Sequence, residues 1–231
     1  MSRLSARLEA VVQMLEPCRL LADVGTDHGL LPIAAVLRRI AAHAIAADLR
    51  DEPLRSARVN ITRAHADGRV TIVQGDGLLA LHDRGVDAVT MAGVSGQLIV
   101  RVCEAAPQVL GELEQLIVQP NNHVPFVRAW ARDHGWHLRD ERMVEEGGLF
   151  FVVCGYVKGT GDDPAYAIAG WSRAALELVG PLLLARKDPV AARWCTAQRD
   201  RLHALVDEGV KTLESELATW QAACDVLVLA T

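Results

Sequence analysis

A chain of 231 residues that is 51% hydrophobic and 23% charged has enough apolar material for one α/β domain of about 150–160 residues and a small appendage. Its net charge of −5 argues against non-specific nucleic-acid binding, while leaving room for a local basic cluster. No uninterrupted apolar run reaches about 18 residues, which excludes a membrane-spanning helix. Met1-Ser2-Arg3-Leu4-Ser5 carries no apolar leader core, so a cytoplasmic location is expected. Cys18, Cys103, Cys154, Cys195 and Cys224 are scattered and odd in number, as reduced thiols would be, with no spacing that suits a metal.

Leu4, Leu8, Val11, Val12 and Leu15 fall at helical spacing and predict an amphipathic helix ending near Pro17. Strands and helices then alternate. Strands are expected at 20–24, 44–47, 70–74, 87–91 and 115–118, with helices from about 29–39, 53–66 and 124–132 and another after Gly96. Two further strand-like runs, 136–144 and 149–157, are joined by Glu145-Glu146-Gly147-Gly148, a hairpin signal. Five β/α units followed by a hairpin imply a Rossmann-like α/β fold, its sheet parallel except for one antiparallel strand at the far side.

Gly159-Thr160-Gly161-Asp162-Asp163-Pro164 reads as a linker, which divides the chain into domains 1–160 and 161–231. Everything beyond it is helical in pattern. Asp188 before Pro189 is a helix start, and Leu202, Val206, Val210, Leu213, Leu217, Trp220, Cys224 and Leu227 keep a coiled-coil rhythm. Gly209 marks the bend between two helices packed as a hairpin.

Ligands of such sheets bind beyond the carboxyl ends of the parallel strands, and this chain puts a polar cluster at each of those ends. The first strand ends in Asp23-Val24-Gly25-Thr26-Asp27-His28-Gly29. A dinucleotide fingerprint needs a second glycine where Asp27 stands, and a carboxylate there repels a pyrophosphate. It suits a ligand bearing an ammonium or sulfonium group, and S-adenosyl-L-methionine is favoured over NAD. Asp23 and Asp27 are candidates to hold the amino end of that cofactor, with helix capping the competing role for Asp27. His28 is a candidate ligand contact, general base or structural histidine. Asp48 lies 23 residues beyond Gly25, where an acid can hydrogen-bond ribose hydroxyls or serve as the first charge of a helix. Asp76 can accept from the adenine amino group, or belong to a plain turn, and Gly75 and Gly77 would leave room for the ring. Ala92-Gly93-Val94-Ser95-Gly96 occupies the acceptor side. Gln119-Pro120-Asn121, one strand over, offers amides that could read a base edge or form a turn. Ser95 lacks the frame and partners of a nucleophilic serine.

Several of these motifs, taken together, resemble the bacterial tRNA (adenine-N1)-methyltransferase family that modifies adenosine 22, the TrmK type. They are Leu4-Ser5-Ala6-Arg7-Leu8, Ala22-Asp23-Val24-Gly25-Thr26-Asp27-His28, Leu31-Pro32, Gly75-Asp76-Gly77-Leu78, Ala92-Gly93-Val94-Ser95-Gly96, Gln119-Pro120-Asn121 and Gly180-Pro181-Leu182-Leu183, in family order. The resemblance implies a class I methyltransferase domain with a C-terminal helical coiled-coil arm, S-adenosyl-L-methionine as cofactor and tRNA as partner, no metal or membrane, and a monomer or weak oligomer. It puts the cofactor on Asp23, Gly25, Asp27, His28, Asp48, Asp76, Gly77, Ala92 and Gly93, and catalysis near Asp27, His28, Ser95 and Asn121. Arg186, Lys187, Arg193, Arg199 and Arg201 are the candidate RNA contacts in the arm, diluted by Asp188 and Asp200, with a solvated helix face as the alternative. The family's Ala-Gly-Met-Gly-Gly is Ala92-Gly93-Val94-Ser95-Gly96 here, and the arm is shorter and more acidic than is typical of the family. Rival expectations are a methyltransferase with a small-molecule or protein acceptor, a non-catalytic cofactor- or RNA-binding module and, last, an NAD-linked oxidoreductase.

Overall fold

The computed structural model describes residues 4–228; Met1–Arg3 and Leu229–Thr231, the outer ends of the two expected domains, lie outside the described residues. Helix α1 (Ala6–Met14) begins at Ser5, whose hydroxyl accepts from Leu8 N, and buries Ala10, Val11, Val12 and Met14. Then β1 (Cys18–Val24), α2 (Leu30–Leu37), β2 (Ala41–Asp48), α3 (Asp51–Arg63) and β3 (Val70–Gln74) form the first half. The second half is β4 (Ala88–Val94), α4 (Gly96–Ala105), α5 (Pro107–Glu112), β5 (Gln115–Pro120), α6 (Val124–Asp133), β6 (Trp136–Glu146) and β7 (Leu149–Lys158).

The seven strands lie in the order β3-β2-β1-β4-β5-β7-β6. β1 to β5 are mutually parallel, and β7 is the antiparallel strand, inserted between β5 and the edge strand β6. A two-residue turn closes the hairpin, with Gly147 at φ 60° and Gly148 at φ 77°, the left-handed pair that matches the twist of the strands. β4 and β5 run further than their apolar runs indicate. The parallel ladder continues through Ala92↔Gln119 and Val94↔Pro120, and a bulge at Gly93 (φ 79°) absorbs the irregularity.

The sheet is covered on both faces. One core, including Leu21, Ile33, Val36, Ala44, Ile117 and Val153, lies under α1 to α3. The other, including Ile45, Val89, Leu116, Val118 and Trp136, lies under α4 to α6 and continues without a break into the helices after the linker. These are α7 (Arg173–Val179), α8 (Pro181–Ala185), α9 (Pro189–Asp207) and α10 (Glu214–Val228). Asp188 caps α9 by accepting from Val190 N and Ala191 N. α10 packs back on α9 after a reversal at Gly209 (φ 100°), with Leu202, Trp220, Cys224 and Leu227 buried. The apolar rhythm breaks at that reversal, where Val210 is exposed.

The arm is fixed to the sheet by a buried ion pair. Arg128 on α6 and Glu141 on β6 are both fully buried; Arg128 Nε donates to Glu141 Oε1 at 2.8 Å. Arg128 Nη1 also donates to the carbonyls of Glu177 and Leu178 at the end of α7. Glu141 Oε2 accepts from Leu182 N and Leu183 N, at 3.2 and 3.3 Å, in the first turn of α8. One salt bridge therefore satisfies the orphan groups of two helix ends.

Candidate active site

The end of β1 carries the densest polar group. Asp23 is 6% exposed and accepts from Thr90 Oγ1 at 2.8 Å. Burial pushes its pKa up to about 6, against the pull of the Thr26 and Thr90 hydroxyls and with a further push from Asp48. Gly25 (φ 79°) turns the chain out of the strand while its N–H and that of Thr26 donate to Ala47 O. A Cβ at Gly25 would meet nothing nearer than Val94 at 3.7 Å, so the floor there is open. Asp27 and His28 are exposed, with His28 Nε2 3.2 Å from Asp27 Oδ2. Helix α2 starts from Gly29 without a side-chain cap, so Asp27 is not a capping residue. Arg7, Leu8, Asp23, Gly25, Thr26, Asp27, His28 and Ala92 line one cleft.

The neighbouring strand ends extend this arrangement. Asp48 is buried at the end of β2 and accepts from Arg50 N at 2.8 Å, and Gly75 N donates to Asp48 O, drawing the ends of β2 and β3 together. Asp76 is exposed and opens a 3-10 turn (Gly77–Leu81) without capping it. The two glycines beside it are also demanded by the fold itself. A Cβ at Gly75 would lie 2.5 Å from that of Ala80, and one at Gly77 would lie 2.8 Å from Val102, so the chain's own packing excludes side chains there.

At the ends of β4 and β5 the buried Gln119 is a hub. Its Oε1 accepts from Gly93 N at 3.0 Å and from Arg7 Nη1, and its Nε2 donates to Pro120 O and Asn121 Oδ1. Its amide is thus committed within the protein. Asn121 is exposed, and its Nδ2 donates to Gly93 O at 2.7 Å. Ser95 is the N-cap of α4, its hydroxyl accepting from Leu98 N at 3.1 Å. We expect Ser95→Ala to lower stability by about 1 kcal/mol in a thermal melt, the usual cost of losing such a cap. Gly96 is obligatory, since a Cβ would sit 2.8 Å from the carbonyls of both Asn122 and His123.

Arg7 is the site residue that reasoning from the strand ends overlooked. It reaches across from α1 with its guanidinium 5.5 Å from the centre of the Phe151 ring, and its N–H donates to Glu146. The only sign in the sequence is its place in the Leu-Ser-Ala-Arg-Leu motif, because its partners are more than a hundred residues away.

The five candidate RNA contacts of the arm do not share one free face. Arg186 and Arg193 are tied to Asp140 and Glu145 of β6, and Arg199 to its neighbour Asp200. Arg201 is exposed and donates to Gln198, and Lys187 is exposed at the turn between α8 and α9. Four of the five cysteines are buried, and burial raises the Cys103, Cys154 and Cys195 thiols to about 12, so none of these is poised as a nucleophile.

Residues 4–154 match the model of a methyltransferase domain family. The tRNA (adenine(22)-N(1))-methyltransferase of Bacillus subtilis (strain 168) is 34% identical over 214 residues, covering 93% of this chain and 89% of that one. Among solved structures, Streptococcus pneumoniae Sp1610 in complex with S-adenosyl-L-methionine superposes with a TM-score of 0.86 at 28% identity, covering 96% of this chain and 100% of that one. The B. subtilis M1A22 tRNA methyltransferase TrmK superposes with a TM-score of 0.81 at 30% identity, covering 99% of each chain. With a methyltransferase domain matched over residues 4–154 and 34% identity over nearly its whole length, the chain belongs to the tRNA (adenine(22)-N(1))-methyltransferase family.

Proposed function

We propose that this protein transfers the methyl group of S-adenosyl-L-methionine to N1 of adenosine 22 in tRNA, in the cytoplasm, with residues 1–160 as the catalytic domain and 161–231 as the arm. The observation that carries this is the line of carboxylates Asp23, Asp27, Asp48 and Asp76 across adjacent strand ends, in a chain whose relatives carry that activity in their names.

The cleft fits the cofactor's charges. Asp23, buried and held by Thr90, faces the ammonium together with Asp27, while Arg7 supplies the cation for the carboxylate. Gly25 lets the backbone approach, Asp48 holds the ribose hydroxyls, Asp76 accepts from the adenine amino group, and Gly77, Ala92 and Gly93 form the wall. When bound, the cofactor supplies a sulfonium methyl, already a strong electrophile. Adenine N1 is a free lone pair at neutral pH, so the protein's task is alignment and exclusion of water. Asp27, His28 and Asn121 border the space where the target base lies once it has left its stack. Ser95 acts by fixing the start of α4, through its capping bond. Arg186, Lys187, Arg193, Arg199 and Arg201 contribute to phosphate contact, Lys187 and Arg201 most directly, since the other three are engaged with acids.

The deciding experiment is transfer of labelled methyl to an unmodified tRNA transcript beside one with adenosine 22 replaced by guanosine. Label is expected in the first alone. Equal labelling of both would overturn the position, and no labelling of either, with the cofactor still bound, would overturn the acceptor.

A further inference from the structure

We propose that the cavity between the loop after β5 and the arm holds an unpaired nucleobase flanking the target adenosine, an inference that rests on the tRNA assignment above. The cavity measures about 260 Å³. Asn122 and His123 of the loop, Phe150 of β7, Trp194 and Gln198 of α9, and Glu216 of α10 contribute to its lining. It is continuous with the acceptor side because Pro120 and Asn121 also line it, yet it shares no residue with the cleft that holds Asp23 and Asp27. A second base, next to the one being methylated, is the occupant this position suits.

The chemistry of the walls agrees. Trp194 is half-buried and set edge-on to Trp220, ring centres 4.8 Å apart at 85°, which fixes the orientation of its indole. With Phe150 it offers the aromatic faces on which single-stranded bases stack. Glu216 is steadied by Trp220 Nε1, which donates to its Oε1 at 3.2 Å, and its second oxygen suits an exocyclic amino group or ring N–H. Gln198 and Asn122 add amides at the edge. Arg201, exposed on α9 and bonded to Gln198 Oε1, puts a cation where the nucleotide's phosphate would emerge. Freeing adenosine 22 from its stack removes stacking partners from its neighbours, and this cavity replaces one of them.

The test is kcat/KM for methyl transfer to intact tRNA and to two transcripts that are abasic on the 5′ or the 3′ side of adenosine 22. Wild-type enzyme should lose about five- to a hundredfold on one of them, through KM. Trp194→Ala should lose a similar factor on intact tRNA and nothing more on that abasic transcript, with Trp194→Phe restoring the sensitivity. Glu216→Gln keeps an acceptor for Trp220 and should blunt the sensitivity in the same way, an independent check should Trp194→Ala fail to fold. Affinity for S-adenosyl-L-methionine should be unchanged in every variant. Full wild-type activity on both abasic transcripts, or undiminished sensitivity in the Trp194→Ala and Glu216→Gln variants, would overturn the proposal while leaving the tRNA assignment intact. No transfer to intact tRNA would remove both.

Discussion

Glu141→Gln should lower the free energy of unfolding by about 3–5 kcal/mol, the loss measured when one partner of a buried ion pair is removed. The amide keeps the shape of the carboxylate but leaves Arg128 charged in a site where neither side chain has solvent access. Four further backbone groups depend on the pair: the carbonyls of Glu177 and Leu178 and the N–H groups of Leu182 and Leu183. The damage should therefore fall on the joint between sheet and arm, and limited proteolysis should cut between α7 and α9 earlier than in wild type. Gly180→Ala should act at the same point. Its φ of 108° is strained for any side chain, and its Cβ would lie 2.7 Å from Arg128 Nη2 and 2.9 Å from Glu141 Oε2. Urea denaturation followed by far-UV circular dichroism measures both. A midpoint within error of wild type for Glu141→Gln would mean that the pair is not what holds the arm.

The same joint shows how far the sequence could be read. The parallel strands were legible because each is a short apolar run, four of them closed by an acid or a glycine and the fifth by Gln119-Pro120-Asn121, and the single antiparallel strand because Gly147-Gly148 forces a tight hairpin. Gly180-Pro181-Leu182-Leu183 stood out as a motif, but its reason did not. The glycine is required by two side chains 52 and 39 residues upstream, which no local pattern announces. Gln119 stood out as a candidate base-reading amide, but its bond to Arg7 was hidden for the same cause, since that contact spans 112 positions. Gly93 suggested the end of a strand, whereas a bulge carries the ladder through it. Residues that act through neighbours in the chain were visible; those that act through partners brought by the fold were not.

Asp23→Asn separates the demands of function from those of stability. In the folded protein this carboxyl titrates near pH 6, against 3.8 for the unperturbed group, chiefly because burial disfavours its charge. Between those two values the folded state binds more protons than the unfolded one, so this group's contribution to stability falls as pH rises through the window. At pH 8 wild type then carries a cost of about 3 kcal/mol, from roughly 1.4 kcal/mol per pH unit. Asparagine has no charge to desolvate and still accepts from Thr90 Oγ1. The variant without cofactor should be more stable than wild type at pH 8, and the difference should shrink towards zero as pH is lowered from 6 to 4. Affinity for S-adenosyl-L-methionine should move the other way, weakening about ten- to a hundredfold at pH 8 with the loss of one charge-assisted contact. Wild-type affinity should fall as pH drops below 6 and Asp23 takes up a proton, whereas the variant's should stay flat across that range. Calorimetric titration over pH 5 to 8, paired with thermal melts of the same samples, reads both. A variant that gains stability yet binds the cofactor as tightly as wild type would leave Asp23 a buried charge without a ligand; one that loses both would make it a structural residue.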